Sequence, residues 1–237
     1  MRNKSAETTG PSILIAGASR GLGFAMAREF VARGWHVLGT IRGGETALHA
    51  LAASHPDMVE IETLDITEAD RIAALRDRLA DRLFDVVFVN AGTANRRQGE
   101  TIAEVSTDEF VRVMVTNVLG VMRTVEALGA LTPPDGMIGV MSSGQGSVTN
   151  NINGGHEVYR GSKAALNQYM RSYAARHAAS SRAMVLMAPG WIRTELGGPE
   201  APFNVEDTVP DIVDALIAQR RVPGLRYLDR NGQTVPW

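Results

Sequence analysis

Cysteine is absent from this chain of 237 residues, which excludes disulfide bridges, thiolate metal sites and cysteine nucleophiles. A basic surplus is absent too: 24 Lys and Arg stand against 26 Asp and Glu, for a net charge of −2. The chain therefore lacks the electrostatic footprint of a nucleic-acid-binding protein. No uninterrupted apolar run approaches the roughly 20 residues that cross a bilayer, and the polar Met1–Gly10 segment lacks a signal-peptide core. We expect a cytoplasmic protein that binds neither nucleic acid nor membrane.

Lysine is scarce, because arginine fills all but two of the 24 basic positions. The two exceptions are Lys4, near the N-terminus, and Lys163, inside a predicted helix. A lysine retained at an interior position in such a chain is a candidate for a role that arginine cannot fill. No His, Asp and Glu residues have metal-ligand spacing, so no metal site is predicted.

The length and a hydrophobic content of 44% suit one globular domain. We predict a flexible tail over 1–10 and a single domain over 11–237. A Gly- and Pro-rich excursion at 191–208 is expected to cover a ligand crevice. Trp191 and Phe203 within it suggest an apolar ligand, but packing in the core is the expected role of such large side chains.

Short β-branched runs alternate with segments of helical periodicity. This alternation predicts an α/β fold of Rossmann type, a single doubly wound parallel sheet with helices on both faces. The predicted strands are Ser12–Ala16, Trp35–Thr40, Met58–Leu64, Phe84–Asn90, Met137–Ser142, Arg182–Ala188 and Arg226–Leu228. The predicted helices are Leu22–Arg33, Glu45–Ser54, Glu68–Arg82, Asp108–Leu131, Val158–Ala179 and Asp207–Gln219.

A glycine-rich turn joins the first predicted strand to the first predicted helix. Glycines there allow a tight turn and let a pyrophosphate approach the helix N-terminus. Many glycine trios are only turns, but the position between strand and helix favours dinucleotide binding. The candidate cofactor-binding residues of this turn are Gly17, Ser19, Arg20, Gly21, Leu22 and Gly23.

The end of the second strand indicates which dinucleotide is bound. An acidic residue there holds the ribose 2′-hydroxyl of NAD, but this strand continues into Ile41 and Arg42. Arg42 and Arg20 would instead pair with the 2′-phosphate of NADPH. The sequence therefore favours NADP(H) over NAD(H), although both arginines could simply be solvated.

Five short motifs follow one another at successive strand ends. After the glycine turn come Asp65-Ile66, Asn90-Ala91-Gly92, Tyr159-x-x-x-Lys163 and Pro189-Gly190. In this order the motifs resemble the short-chain dehydrogenase/reductase family over Ser12–Trp237. Within the family, the chain is similar to the C-factor and sniffer-type carbonyl reductase branch in the segments 141–167 and 189–194 and in the closing Pro236-Trp237.

The resemblance implies further contacts to the cofactor. Asp65 and Ile66 would flank the adenine, although Asp65 could also cap a helix beginning near Thr67. The small residues after the fourth strand would pass under the adenosine ribose, and residues after the sixth would reach the nicotinamide carboxamide. These implied contacts are Asn90, Ala91, Gly92, Pro189, Gly190, Ile192 and Thr194, with Tyr159 and Lys163 at the nicotinamide ribose.

Tyr159 and Lys163 lie four positions apart, on one face of a predicted helix. A phenol has a pKa near 10, and a nearby ammonium lowers it by stabilising the phenolate. We therefore predict that Tyr159 is a general acid with a lowered pKa, which protonates a carbonyl oxygen. An ordinary Tyr–Lys pair on a helix surface is the alternative.

A serine after the fifth strand would orient the carbonyl oxygen, and the resemblance favours Ser143. Sixteen positions separate it from Tyr159, more than is usual in the family, so Ser142 and Ser147 remain alternatives. The resemblance also assigns Asn117, in the apolar stretch 111–121, to a water next to Lys163. A core asparagine with all its hydrogen bonds made is the alternative.

These residues predict an NADPH-dependent carbonyl reductase acting on a small ketone or aldehyde. Two alternatives are an NADP-binding signalling or sensor protein with little turnover and an NAD-dependent alcohol oxidase. The intact catalytic set opposes the first, and Ile41 and Arg42 oppose the second. The family resemblance also implies a homodimer or homotetramer formed through the helices near 108–131 and 158–179.

Overall fold

Seven parallel strands form one sheet in the computed structural model, which describes residues 10–237. The predicted tail falls on residues 1–9, outside the described residues. The strands are β1 (Ser12–Ala16), β2 (His36–Ile41), β3 (Val59–Thr63), β4 (Val86–Val89), β5 (Met137–Met141), β6 (Ala183–Ala188) and β7 (Gly224–Asp229). Their order in the sheet is β3-β2-β1-β4-β5-β6-β7, so the predicted doubly wound α/β fold is confirmed.

Helices cover both faces of this sheet. They are α1 (Gly21–Ala32), α2 (Ala47–Ser54), α3 (Ala69–Arg78), α4 (Thr107–Met114), α5 (Val121–Leu128), α6 (Glu157–Arg176) and α7 (Val205–Gln219). One apolar cluster joins α1, α2 and α7 to one face of the sheet, and a second joins α3, α5 and α6 to the other. The inner strands are buried on both faces for this reason, as their continuous apolar runs predict.

The helical segment Thr107–Leu131 differs from the single α-helix expected at 108–131. A π-helical turn, Val115–Gly120, separates α4 from α5, and a 3₁₀ turn at Gly129–Leu131 ends the segment. Such turns disturb the regular hydrogen-bond ladder and often lie at functional sites. By length and composition alone this helical segment is apolar enough to cross a membrane, but half of its apolar window is buried inside the protein, as in a core helix.

The segment after β6 is shorter than the predicted excursion at 191–208. Its irregular part ends at Asn204, because α7 begins at Val205 rather than at the expected Asp207. Two acidic residues, Glu206 and Asp207, lie in the first turn of α7, where they stabilise the positive end of the helix dipole. Within the excursion, Ile192 and Phe203 pair as an isolated parallel bridge.

The carboxyl ends of all seven parallel strands lie along one edge of the sheet. From β1 the strand order runs outward through β2 to β3 on one side and through β4 to β7 on the other, and β1 pairs with both β2 and β4. A doubly wound sheet opens a ligand crevice at this switch point. The glycine turn and the loops after β4, β5 and β6 all begin at this edge.

Candidate functional site

The glycine turn after β1 has a backbone that only glycine can adopt. Gly17 has φ +94°, and a Cβ there would lie 2.9 Å from the Cα of Ala91. A Cβ on Gly23 would lie 2.0 Å from the Gly17 carbonyl oxygen, which accepts a hydrogen bond of 2.8 Å from Asn90 Nδ2. The first N–H groups of α1 have no carbonyl partner within the helix, so they are available to an anion. This cradle fits a dinucleotide pyrophosphate.

The two arginines predicted to meet a 2′-phosphate lie in different loops, Arg20 after β1 and Arg42 after β2. Arg42 is exposed and follows the buried Ile41, so no carboxylate ends β2. The Arg20 guanidinium Nη1 lies 2.8 Å from Glu195 Oε2, and about two thirds of each side chain is exposed. An exposed pair of this kind contributes little to stability, so a phosphate could displace the glutamate from Arg20.

Asp65 caps a turn, and not the helix expected to begin near Thr67. Its Oδ1 accepts hydrogen bonds from Thr67 N (2.9 Å) and Thr67 Oγ1 (2.7 Å), whereas α3 begins only at Ala69. Burial alone would raise the pKa of Asp65, but the Thr67 hydrogen bonds and the charges of Arg42 and Arg71 together lower it. Ile66 is 5% exposed and packs in the core, so little of its side chain faces the crevice.

The loop after β4 brings the cofactor cradle close to the catalytic residues. Asn90 braces the glycine turn, and Ala91 N donates to the Ala16 carbonyl at 2.9 Å. A Cβ on Gly92 would lie 3.4 Å from Asn117 Oδ1 and 3.5 Å from Lys163 Nζ. The absence of a side chain at Gly92 therefore keeps open the space in front of both residues.

Lys163 is buried at 3% exposure, which a surface lysine on an ordinary helix face would not be. Its Nζ donates to the Met141 carbonyl at 2.8 Å, at the end of β5. Within residues 10–237 no carboxylate forms an ion pair with it. Burial therefore lowers the pKa of the ammonium to about 8.

Tyr159 lies beside Lys163, with 5.8 Å between the ammonium nitrogen and the ring centroid. The two groups therefore share one helix face, as their spacing predicts. The expected lowering of the Tyr159 pKa is wrong for the protein alone, because burial raises it to about 12, with Ser143 lowering it and Tyr227 raising it to a smaller extent. The phenol is thus fully protonated at neutral pH.

Of the three candidate serines, only Ser143 is placed to act with Tyr159. Its hydroxyl lies close enough to the phenol to lower the Tyr159 pKa. Ser142 is 2% exposed and donates to Asn167 Oδ1 at 2.6 Å. Ser147 is 1% exposed and is held by Asn150 N and the Trp237 carbonyl. The neighbouring hydroxyls therefore already have structural partners.

Asn117 lies in the π-helical turn and is fully buried. Its Nδ2 donates to the Thr93 carbonyl (2.7 Å) and to Ser162 Oγ (2.9 Å), while Oδ1 accepts from Thr93 N at 2.8 Å. These bonds join the loop after β4 to α6. Any water at this residue would have to use the second lone pair of Oδ1 or a backbone carbonyl of the disturbed turn.

The segment after β6 forms the remaining wall. Pro189 is buried, Gly190 has φ +96°, and Ile192 packs in the core at 3% exposure. Thr194 Oγ1 accepts from Gly197 N at 3.1 Å and lies near the Ile192 carbonyl. Ile192 could therefore meet a carboxamide only through its backbone, whereas Thr194 is partly exposed beside Gly21.

Two ion pairs that hold the loop after β4 were not predicted from the sequence. Glu109 is 7% exposed and is held by Arg112 and Arg96, so hydrogen bonds from Arg112 keep its pKa at about 2 despite burial. Arg112 also donates to Thr93 Oγ1 (2.9 Å) and to the Ala94 carbonyl (2.7 Å). The i, i+3 spacing of Glu109 and Arg112 was the available signal.

His156 is partly buried at the N-terminal end of α6, with φ +49°. Its Nδ1 is buried and has no hydrogen-bond partner among the described residues. Across residues 10–237, no three His, Asp or Glu side chains gather as a metal site.

Comparison with known proteins agrees with this geometry. A family model described as enoyl-(acyl carrier protein) reductase matches residues 17–220. The C-signal protein of Myxococcus xanthus is 31% identical over 65% of this chain and 92% of its own length.

Two solved structures have the same fold. A short-chain dehydrogenase/reductase from Burkholderia multivorans with bound NADP is 60% identical, with a TM-score of 0.95, covering 96% of this chain and 99% of that one. A carbonyl reductase from Pseudomonas aeruginosa PAO1 in complex with NADP is 31% identical, with a TM-score of 0.85 and the same coverage of 96% and 99%. Together with the ordered motifs, these matches show that the chain belongs to the short-chain dehydrogenase/reductase family of oxidoreductases.

Proposed function

We propose that this protein reduces a ketone or an aldehyde with NADPH. The observation that carries the proposal is the group formed by the buried Lys163 and the half-buried Tyr159 and Ser143, at the edge of the sheet where the glycine cradle opens. When bound, the nicotinamide supplies the hydride, and the protein residues orient the carbonyl and supply the proton.

Tyr159 is the proton donor in this proposal. With a pKa of about 12, Tyr159 holds its proton at neutral pH. It is still more acidic than the product alcohol, so it can protonate the alkoxide. Ser143 binds the carbonyl oxygen from the other side and fixes its distance to the phenol. Lys163 would hold the nicotinamide ribose, and its positive charge favours proton release from Tyr159 once the carbonyl begins to gain negative charge. Asn117 connects Lys163 to solvent through a water.

The cradle residues hold the cofactor, with NADP(H) favoured over NAD(H). The N–H groups at the start of α1 bind the pyrophosphate, and Asn90 keeps the turn in shape. Arg20, now paired with the exposed Glu195, would hold the 2′-phosphate together with Arg42. The NADP-bound structures of two relatives support this choice.

The substrate has an apolar body. Trp191, expected in the core, is 53% exposed, and its Nε1 is fixed by the Gly197 carbonyl at 2.7 Å. Leu196 and Phe203 of the same segment are 45% and 37% exposed. These apolar surfaces border the crevice, and a small sugar or amino acid would not cover them.

We propose a cytoplasmic homodimer or homotetramer that binds neither membrane nor nucleic acid. The helices α4 to α6 carry exposed apolar side chains suited to pairing: Phe110, Val111, Leu119 and Tyr169. Sedimentation of the purified protein tests the oligomeric state.

The test of the function is NADPH oxidation on a panel of aryl ketones, aldehydes, diketones and quinones, with an enoyl thioester included. We expect turnover on aryl or alkyl carbonyls, at least about tenfold better with NADPH than with NADH. Turnover on the enoyl thioester alone would replace carbonyl reduction by alkene reduction. Tight NADPH binding without turnover on any compound would favour a signalling role, as for the C-signal relative.

A further inference from the structure

Tyr227 lies on β7, far along the chain from the catalytic motifs, yet it contacts the catalytic serine. The side chain is 1% exposed, and its hydroxyl donates to the Ser143 backbone carbonyl. It also lies close enough to Tyr159 to raise the pKa of that phenol. A strand at the edge of the sheet therefore reaches back to the residue that follows β5.

The hydroxyl of Tyr227 belongs to a buried polar network. Asn167 and Ser142 lie close enough to Tyr227 to influence the pKa of its phenol. Ser142 Oγ donates to Asn167 Oδ1 at 2.6 Å, and Asn167 Nδ2 donates to the Gly146 carbonyl at 3.3 Å. Gly146 N in turn donates to the Ser143 carbonyl at 2.9 Å. The network thus holds the peptide group of Ser143 through the Ser143 carbonyl.

The end of the chain holds the same loop from outside. The Trp237 carbonyl accepts hydrogen bonds from Thr149 N (2.9 Å) and Thr149 Oγ1 (2.6 Å). The Trp237 ring packs on Tyr227, with centroids 5.4 Å apart, and Arg171 lies 4.6 Å above it. The lengthened loop between Ser143 and Tyr159 is therefore fixed at its first residues by β7 and the C-terminus.

We propose that Tyr227 is a positioning residue for carbonyl reduction, which holds the peptide of Ser143 so that the serine hydroxyl faces Tyr159. The proposal rests on the proposed function. A phenylalanine would fill the same apolar space, but it would leave the Ser143 carbonyl with Gly146 N as its remaining donor, so that the peptide is held less firmly. A small displacement of a group that orients the reacting atom lowers the rate much more than it lowers binding.

The test compares Tyr227→Phe in two backgrounds, the wild type and Ser143→Ala, with an aryl ketone and NADPH. We expect about a tenfold fall in kcat in the wild type, with the KM for NADPH unchanged. In Ser143→Ala we expect less than a twofold further fall, because Tyr227 acts through that serine. Tyr173→Phe is the matched control, since Tyr173 is 3% exposed on α6 and should leave kcat unchanged.

An equal fall in both backgrounds would show a merely structural role and overturn the proposal, as would an unchanged kcat for Tyr227→Phe. A Ser143→Ala variant with wild-type turnover would overturn it as well. In each of these cases, NADPH oxidation by the wild type with the ketone would still support the proposed carbonyl reduction. Asn167→Ala, which opens the same network, is the second variant if Tyr227→Phe does not fold. Its effect on kcat should likewise be smaller in the Ser143→Ala background than in the wild type.

Discussion

The two ends of the crevice are built in opposite ways. At the catalytic end, Lys163 and Asn117 are 3% and 0% exposed, and each polar atom has a defined partner. At the end proposed for the 2′-phosphate, Arg42 is exposed and Arg20 forms an ion pair with the exposed Glu195. The first arrangement fixes atoms in place, and the second supplies charge on exposed side chains.

This difference separates the chemistry from the choice of cofactor. Buried groups interact strongly because little solvent screens them, so loss of one should affect the rate of the chemical step. Exposed arginines are screened by salt, so their loss should affect cofactor affinity, and more so at low ionic strength. The following predictions test this division.

Lys163→Met should lower kcat by about 10³-fold, because the charge that favours proton release from Tyr159 is lost. It should also stabilise the protein without cofactor. Burial lowers the Lys163 pKa from 10.5 to about 8, which corresponds to a destabilisation of the wild type by roughly 3 kcal/mol that the methionine removes. The methionine also leaves the Met141 carbonyl without its donor, which offsets about 1–2 kcal/mol of this gain. Denaturant unfolding measures the gain, with the exposed Arg123→Met as the control for one lost charge.

The stability gain should depend on pH in a definite direction. Because the pKa of Lys163 is lower in the folded than in the unfolded state, the unfolded chain binds more protons between about pH 8 and pH 10.5. The buried ammonium therefore lowers the free energy of unfolding of the wild type by the full amount below pH 8. This destabilisation disappears as the pH rises through the window. A difference between wild type and variant that stays constant from pH 7 to pH 10 would contradict the lowered pKa.

Asn117→Ala should lower kcat by about 10- to 100-fold and destabilise the protein by about 2 kcal/mol, since Thr93 N and its carbonyl both lose a partner. Steady-state rates and unfolding curves measure the two effects. Thr124→Val is the control, because Thr124 is also fully buried on the same helical segment and donates only to the Gly120 carbonyl. Equal rates for both variants would leave Asn117 a purely structural residue.

Arg42→Ala should have the smallest effect, raising the KM for NADPH by about tenfold while kcat and the KM for NADH change little. The loss should shrink as salt is added. Initial rates at low and high ionic strength measure this, with the exposed Arg28→Ala as the control. A parallel rise in the KM for NADH would show that Arg42 does not recognise the 2′-phosphate.

Local patterns predicted the fold and the cradle well, since the strands, the glycine turn and the Tyr159–Lys163 face each depend on residues close in sequence. Contacts between residues far apart in the chain were harder to predict from the sequence. Burial reversed the expected pKa shift of Tyr159, and nothing near Ser143 in sequence indicates that Tyr227 contacts it from β7. The π-helical turn at Asn117 likewise depends on its bonds to Thr93 and Ser162, in two other segments.

Tyr159→Phe tests the central claim most directly, because it removes one hydroxyl and leaves the ring beside Lys163. The measurement pairs NADPH affinity by fluorescence titration with turnover on the best carbonyl substrate. We predict an affinity within about twofold of wild type and a kcat lower by 10²- to 10⁴-fold. A variant that reduces the substrate at a rate near that of the wild type would contradict the assignment of Tyr159 as the proton donor.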